Sequence, residues 1–575
     1  MKAIKSKYIF QNIFDYIKDF NYKYKLFRYS KFYQNYFELK LEEFKEIYII
    51  QLGLDIEKYN LLNVNPITFD KEDFIKTLEK YNLTLNDIQT FIINHLKRSI
   101  NYHKEKRNDF KYSQYNYYNI PINIYSPFLE TISTSDYFEE IFTIQIPTKE
   151  IDDHDLKKDY ISTFKKLKNN NSNFSSLLIK INYDKDMSYF HEFNIDYGKI
   201  KFLIIKKDGY STFNNCYSFY DSILFNFNNL IYLNLESLNN KIKEKENQYL
   251  LIKHINNLKQ LEILILTKFY FANFDSVLDL DNLKVLNLSF CKQIKLSKNL
   301  CLKLKKLCLI MSSISNEEFL EFPELEDFRL NSTPINDDFK KNINFKSLKK
   351  IKRIIVYSNY FVLLENTLLE YAKLNANKNN SHGFEKFMFE KILSIETLKV
   401  IDITLNYLNH NDFGKILGLN NSVIKANILW INQKEKNYNI LNLLNIFPNL
   451  QSINISIING GSTETTINIK EKNSIKIDKI ILYNQRANNI ILYCNSFENL
   501  KEFDFQSENE IINLNNIPFF DKDCNIIFNS LTHFKFSENS KYVMNIDILN
   551  NLYNNIDKMP KLKSFYLFIV QCFYS

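Results

Sequence analysis

The chain has 575 residues, 45% hydrophobic and 24% charged, which is ample core-forming material and excludes a chain disordered overall. A formal net charge of +8 spread over this length carries no signal for nucleic acid or for an anionic membrane surface. The 7 Cys form no Cys-x-x-Cys pair and have no His at zinc-ligand spacing, which predicts reduced thiols in an intracellular protein with no metal or cofactor.

At the N-terminus, Ile9-Phe10 runs into Gln11, Asn12 and Asp15, so no apolar signal core forms. No stretch reaches the ~18 consecutive apolar residues that a membrane span requires. The expected location is cytoplasmic or nuclear, with no membrane partner. Within residues 1–50, Ile9, Phe10, Ile13, Phe14 and Ile17 fall on one helical face, and an aromatic-rich segment follows from Lys23 to Phe37. One reading is a helical hairpin that caps the apolar edge of a repeat array. The other starts from Ile13-Phe14-Asp15-Tyr16-Ile17 and Tyr29-Ser30-Lys31-Phe32-Tyr33, which together resemble an F-box. The stretch lacks the usual Leu-Pro opening and carries Tyr33 where Trp is customary. That resemblance implies docking to a cullin-ligase adaptor through Ile9, Ile13, Phe14, Ile17, Leu26 and Tyr33.

Residues 51–174 read as a helical spacer or N-terminal cap. Phe74, Ile75 and Leu78 form one amphipathic pattern, and Ile88, Phe91, Ile92, His95 and Leu96 form a second, preceded by capping groups at Thr84, Asn86 and Asp87. The polar, tyrosine-rich stretch 101–118 predicts a surface loop.

From residue 175 to 575 one pattern dominates. Leu283-Lys284-Val285-Leu286-Asn287-Leu288 returns as Leu304 to Leu309 and as Leu325 to Leu330, so Leu286, Leu307 and Phe328 follow one another at 21 residues. Related units begin at Leu230, Leu261, Leu348, Leu398, Leu450, Leu500, Leu531 and Leu562, with uneven later spacing. Phe384 to Leu393 predicts a helix between two of them. Recurrence at such a period predicts a stacked solenoid in which no unit buries its apolar face alone. The repeat resembles the leucine-rich-repeat superfamily, and its uneven lengths resemble the ribonuclease-inhibitor-like and F-box-associated subclasses. The fold class implied is α/β: a parallel concave sheet with irregular convex helices, preceded by a small helical N-terminal module.

With leucines alternating inward, the residues between them are expected on the concave face: Lys284, Asn287, Lys305, Lys306, Glu326, Asp327, Arg329, Asp402, Asn454, Lys501, Asp504, His533 and Lys535. Both signs of charge occur together, which suits a protein partner better than a uniform polyanion and argues against nucleic acid. A basic block from Lys292 to Lys306, an acidic run from Glu317 to Asp327 and a second basic block from Lys340 to Arg353 predict ion pairs between neighbouring repeats, the alternative being a charged docking patch.

There is no Gly-x-Gly-x-x-Gly or Walker loop, Gly460-Gly461 reads as a turn, and Asp152-Asp153-His154-Asp155 reads as a solvated loop. No catalytic motif is present, so the function expected is non-catalytic protein binding. If the F-box likeness holds, the chain is a substrate receptor of a cullin-based ubiquitin ligase; otherwise it is a scaffold or inhibitor.

Overall fold

The computed structural model describes residues 71–80, 83–94, 120–123, 142–146, 175–181, 196–207, 224–237, 245–269, 277–331, 343–357, 368–375, 382–405, 418–431, 437–439, 445–458, 464–469, 479–484, 489–494, 500–507, 527–538 and 546–569, with isolated positions 49, 162, 271, 361, 363 and 364. They belong to two units, Met1–Leu283 and Lys284–Ser575. The six residues of the F-box likeness, Gly460-Gly461 and Asp152 to Asp155 lie outside the described residues, as do His95 and Leu96.

The described residues of the first unit include helices α1 (Lys71–Lys80) and α2, described over 85–94. Phe74, Leu78, Ile88, Phe91 and Ile92 are buried, as the helical spacing requires. Thr84 caps α2 reciprocally. Its hydroxyl accepts from the Asp87 N–H at 3.2 Å, while the Asp87 carboxylate accepts from the Thr84 N–H at 2.9 Å, a capping box with Asp in the place of Glu.

Strands β1 (Ile120–Asn123), β2 (Phe142–Ile146), β3 (Ser176–Ile181), β4 (Phe202–Lys207) and β5 (Tyr232–Glu236) follow, then α3 (Lys245–Asn256) and β6 (Ile263–Thr267). Each strand pairs in parallel with the next. Among the described residues the parallel pairing therefore reaches back to Ile120, ahead of the position 175 expected from the leucine pattern. Ile120-Pro121-Ile122-Asn123 lacks the leucine signature. Among the described strands β1 pairs only with β2, an edge position where a residue without an N–H is tolerated.

The second unit contains β7 (Val285–Ser289), α4 (Lys298–Lys303), β8 (Lys306–Ile310), β9 (Asp327–Asn331), β10 (Arg353–Tyr357), β11 (Tyr371–Asn375), α5 (His382–Leu393), β12 (Val400–Leu405), β13 (Lys425–Ile431), β14 (Asn437–Asn439), β15 (Ser452–Ile458), β16 (Glu464–Ile469), β17 (Lys479–Asn484), β18 (Asn489–Cys494), β19 (Glu502–Ser507), β20 (His533–Glu538), α6 (Ile546–Asn555) and β21 (Ser564–Ile569). Twelve of these strands form one parallel ladder in the order β7-β8-β9-β10-β11-β12-β13-β15-β17-β19-β20-β21. Helix α5 covers the segment that the sequence pattern marked as helical. Three successive returns instead contain strands β14, β16 and β18, which pair with one another in parallel. Their β-branched runs, Thr465-Thr466-Ile467 and Ile490-Ile491, explain why strand replaces helix there.

Register fixes the core. Leu286, Leu307, Phe328, Ile354, Ala372, Ile401, Ala426, Ile453, Ile480, Phe503 and Phe534 pair successively across the strands and are all buried. Each fully buried Leu, Ile or Phe of this column contributes about 1.5–3 kcal/mol relative to exposure. The Phe503 and Phe534 rings stack at 5.7 Å. In-register parallel strands joined by long returns, with Leu-type residues buried at alternating positions, make this ladder a leucine-rich-repeat solenoid.

A second repeated device sets each strand's starting point. Before the strands, the N–H of Leu325, Leu348, Leu398, Leu450, Leu531 and Leu562 donates three residues back to the carbonyl of Phe322, Phe345, Ile395, Phe447, Phe528 and Met559, respectively. Those acceptor residues are buried. Pro323, Pro448 and Pro560 occupy the second position of this turn, where a fixed φ near −65° is wanted. The repeat unit is therefore an apolar residue, two turn residues and then the Leu-x-x-Leu-x-Leu signature.

The charge blocks meet as expected. Lys295 pairs with Glu317 at 3.6 Å, Lys350 with Glu324 at 2.7 Å and Lys352 with Glu326 at 3.3 Å, and Lys298 pairs with Glu318. Each pair joins neighbouring turns and is partly or fully exposed, so solvent screening leaves it little weight in stability.

Candidate functional site

Strand alternation turns every second side chain away from the core, onto an open face. Of the residues expected to bind, Asn287, Lys306, Asp327, Arg329, Asp402, Asn454, Asp504, His533 and Lys535 lie at those alternate positions in β7, β8, β9, β12, β15, β19 and β20. Lys284, Lys305, Glu326 and Lys501 fall one residue before their strands, in phase with the core positions. Their backbone carbonyls join the turns. The N–H groups of Lys305 and Lys306 both donate to the Lys284 carbonyl, those of Glu326 and Asp327 to Lys305, those of Lys352 and Arg353 to Glu326, and those of Thr532 and His533 to Lys501.

The charged centre of the face spans β8 to β12. Asp327 is 2% exposed and receives a two-pronged bond from Arg329, with Nε at 3.1 Å and Nη2 at 2.9 Å. Lys306 approaches the same carboxylate at 3.6 Å. One row along the register reads Lys306, Asp327, Arg353, Tyr371, and the next reads Cys308, Arg329, Ile355, Lys373. The Arg353 guanidinium lies over the Tyr371 ring, 4.5 Å from its centre. Lys373 pairs with Asp402 at 3.1 Å.

Burial opposes charge here. It pulls Lys306 below the ordinary lysine value, with Arg329 and Arg353 adding to the fall and Asp327 resisting it. It also works against the Arg329 cation, but the bonds Arg329 donates to Asp327, and the charge of that carboxylate, more than offset this and hold Arg329 above its ordinary value. Burial raises the Cys308 thiol and the Tyr371 phenol, the latter with help from Asp402.

A second polar group occupies β17, β19 and β20. Lys535 meets Asp504 at 3.4 Å, Gln506 donates to both Asp504 oxygens at 3.2 Å, and Lys479 pairs with Glu502. His533 is exposed, its Nδ1 2.8 Å from the Thr532 hydroxyl. Asn454 Oδ1 is buried without a hydrogen-bond partner among the described residues.

Arg353, Tyr371 and Lys373 were not among the residues expected from sequence. Their strands read Ile351-x-x-Ile354-x-Val356 and Leu369-x-x-Ala372-x-Leu374, with small or β-branched residues in leucine positions. Allowing Ala at the middle core position would have found β11, and β13 as Val423-x-x-Ala426-x-Ile428. Among the described residues no group of three or more His, Cys, Asp or Glu is placed to hold a metal ion. No described helix is long and apolar enough to cross a membrane.

No protein-family model and no curated protein matches the chain. Among solved structures, 24 chains match. One is described as "Crystal structure of TLR13-ssRNA13 complex"; the alignment has 16% identity and a TM-score of 0.35, and covers 69% of this chain and 64% of the other. The present chain thus spans less than two thirds of the length of that chain.

Proposed function

We propose that this chain is a non-catalytic leucine-rich-repeat interaction module that docks a partner protein on the open face of its strands. The observation that carries this reading is the half-buried, mixed-sign polar surface of β8 to β12, where Asp327 and Asp402 alternate with Lys306, Arg329, Arg353 and Lys373. Alternating charge on a rigid sheet discriminates among proteins by complementarity of sign and position. The test is photocrosslinking from single positions in the full chain. Lys373, Asp504 and His533 on the open face should crosslink one common partner, while Lys350 and Glu318 on the inter-turn pairs should not. Crosslinking of the same partner from Lys350 and Glu318 alone would sink the proposal.

The finer reading assigns the chain to a cullin-based ubiquitin ligase as substrate receptor, with Ile9, Ile13, Phe14, Ile17, Leu26 and Tyr33 holding the adaptor. It is supported by the Ile13-Phe14 pattern in the sequence alone. Full-length protein should retain the adaptor on co-purification, and Ile13→Asp/Phe14→Asp should lose it. A folded full-length chain that retains none leaves a scaffold or inhibitor. A cytoplasmic or nuclear setting is part of the proposal and agrees with Cys291, Cys301 and Cys308 being buried free thiols.

A further inference from the structure

The open face at β8 to β11 carries an excess of positive charge in a partly desolvated setting. Lys306, Arg329, Arg353 and Lys373 project there from four consecutive strands, against Asp327 and, on β12, Asp402. Asp402 is engaged by Lys373, and Asp327 by Arg329 and Lys306 together. Counting the six groups leaves two positive charges, centred on the row Lys306-Asp327-Arg353. Neighbouring strands stand about 4.8 Å apart, so Lys306 and Arg353 are about 10 Å apart at the backbone, on either side of Asp327. Two long cationic side chains at that spacing can converge on one small anion.

We propose that this spot receives a carboxylate side chain from an acidic segment of the partner protein, held between Lys306 and Arg353 with Tyr371 as a flat wall beneath the guanidinium. The proposal rests on the open-face reading above and names the chemistry of its occupant. Three features favour it. Arg353 is already oriented by its contact with the Tyr371 ring, so little side-chain freedom remains to be lost on binding. Asp327 is saturated by the Arg329 fork, which leaves the outer side of the cluster cationic. Mutual repulsion among Lys306, Arg329 and Arg353 in a half-buried setting is relieved by an incoming anion, consistent with the depressed lysine. The isolated scale of the spot, with Asp402 already engaged by Lys373 beside it, suits one or two carboxylates better than a run of phosphodiesters.

The test is selection of random dodecapeptides on the full-length chain, followed by binding of single clones to variants. Selected peptides should share an Asp or Glu. Arg353→Gln and Lys306→Gln should each weaken them about tenfold or more, since a charged hydrogen bond is removed. Arg353→Lys, which keeps the charge but gives up the planar contact with Tyr371, should weaken them less than Arg353→Gln does, and Lys563→Gln, on the approach to β21, should have no effect. Arg353→Lys keeps the charge in place, so it separates loss of the anion contact from loss of fold. Peptides without an acidic residue, or acidic peptides indifferent to Arg353→Gln and Lys306→Gln, overturn the carboxylate site. If such peptides are weakened by His533→Ala or Lys535→Ala, the open-face reading survives; if no open-face substitution affects them, that reading falls too. An oligouridylate or a phosphoserine peptide that binds the spot more tightly than the acidic clones also overturns the proposal.

Discussion

Asp327 keeps its place in an almost fully buried position because Arg329 offers it two parallel donors and Lys306 a second positive charge. Removing one member of such a group leaves the rest desolvated without compensation. Asp327→Ala should therefore cost about 3 kcal/mol in chemical denaturation, and Asp327→Ala/Arg329→Met should cost less than the sum of its single changes by about 2 kcal/mol. A different residue governs the alkaline limit. Burial pushes the Cys301 thiol from 9.0 up to about 12. Because the folded value is the higher one, its contribution to stability is complete below pH 9 and declines as pH rises from 9 towards 12. The loss at pH 10 is about 1.4 kcal/mol, one logarithmic unit above the unfolded value. Lys306 acts in the opposite sense: its folded value is lowered, so stability rises with pH between that value and 10.5. Midpoints of thermal unfolding from pH 7 to 10 should fall on balance, with Tyr232 and Tyr371, both raised by burial, adding to the fall. Cys301→Ala should flatten the slope.

At the scale of the repeat element, the turn before each strand is as constant as the leucines within it. Phe447 is fully buried beneath one such turn, and Phe447→Ala should cost about 3–5 kcal/mol by denaturant unfolding. Side chains also knit the returns. Asn316 accepts from the Leu296 N–H at 2.9 Å and donates to its carbonyl at 2.7 Å, so Asn316→Ala should cost about 1–3 kcal/mol. Backbone strain collects just beyond the strands. Phe290 follows β7 with φ 56° and Met311 follows β8 with φ 48°, the same place in consecutive turns, and Gln293 lies nearby at φ 58°. Left-handed backbone is unfavourable for a residue with a Cβ. Gln293→Gly should therefore raise stability by about 0.5 kcal/mol, the relief of strain partly cancelled by the greater freedom of glycine in the unfolded chain.

These elements explain what was legible beforehand. Leu286, Leu307 and Phe328 recur at one spacing and announce β7, β8 and β9 directly. Helix α5 was visible from its apolar spacing. β1 was hidden by Pro121, and β11 by Ala372 in a leucine position. Lys306, Asp327 and Arg329 could be placed on one face from alternation alone. The partnership of Arg353 with Tyr371 depends on a register between strands whose connecting segment gives no sign of its length.

For the whole of the second unit, the energetics are close to one-dimensional, because each turn rests on its two neighbours. Phe503→Ala should lower amide-exchange protection in β17, β19 and β20 and leave that of β7, β8 and β9 near its original value. A uniform loss from β7 to β21 would show instead that the ladder unfolds as one block.

The ladder stays in register while its returns vary greatly: Ala372 follows Ile354 by 18 residues, and Phe534 follows Phe503 by 31. Insertions and deletions in the returns are therefore silent for the alignment of the open face, whereas a single added residue inside a strand would turn its side chains over. Genetic change is sorted by its kind. Length changes on the return side of a turn leave the open face in register, and the open face itself is altered by substitution, one residue of one strand at a time.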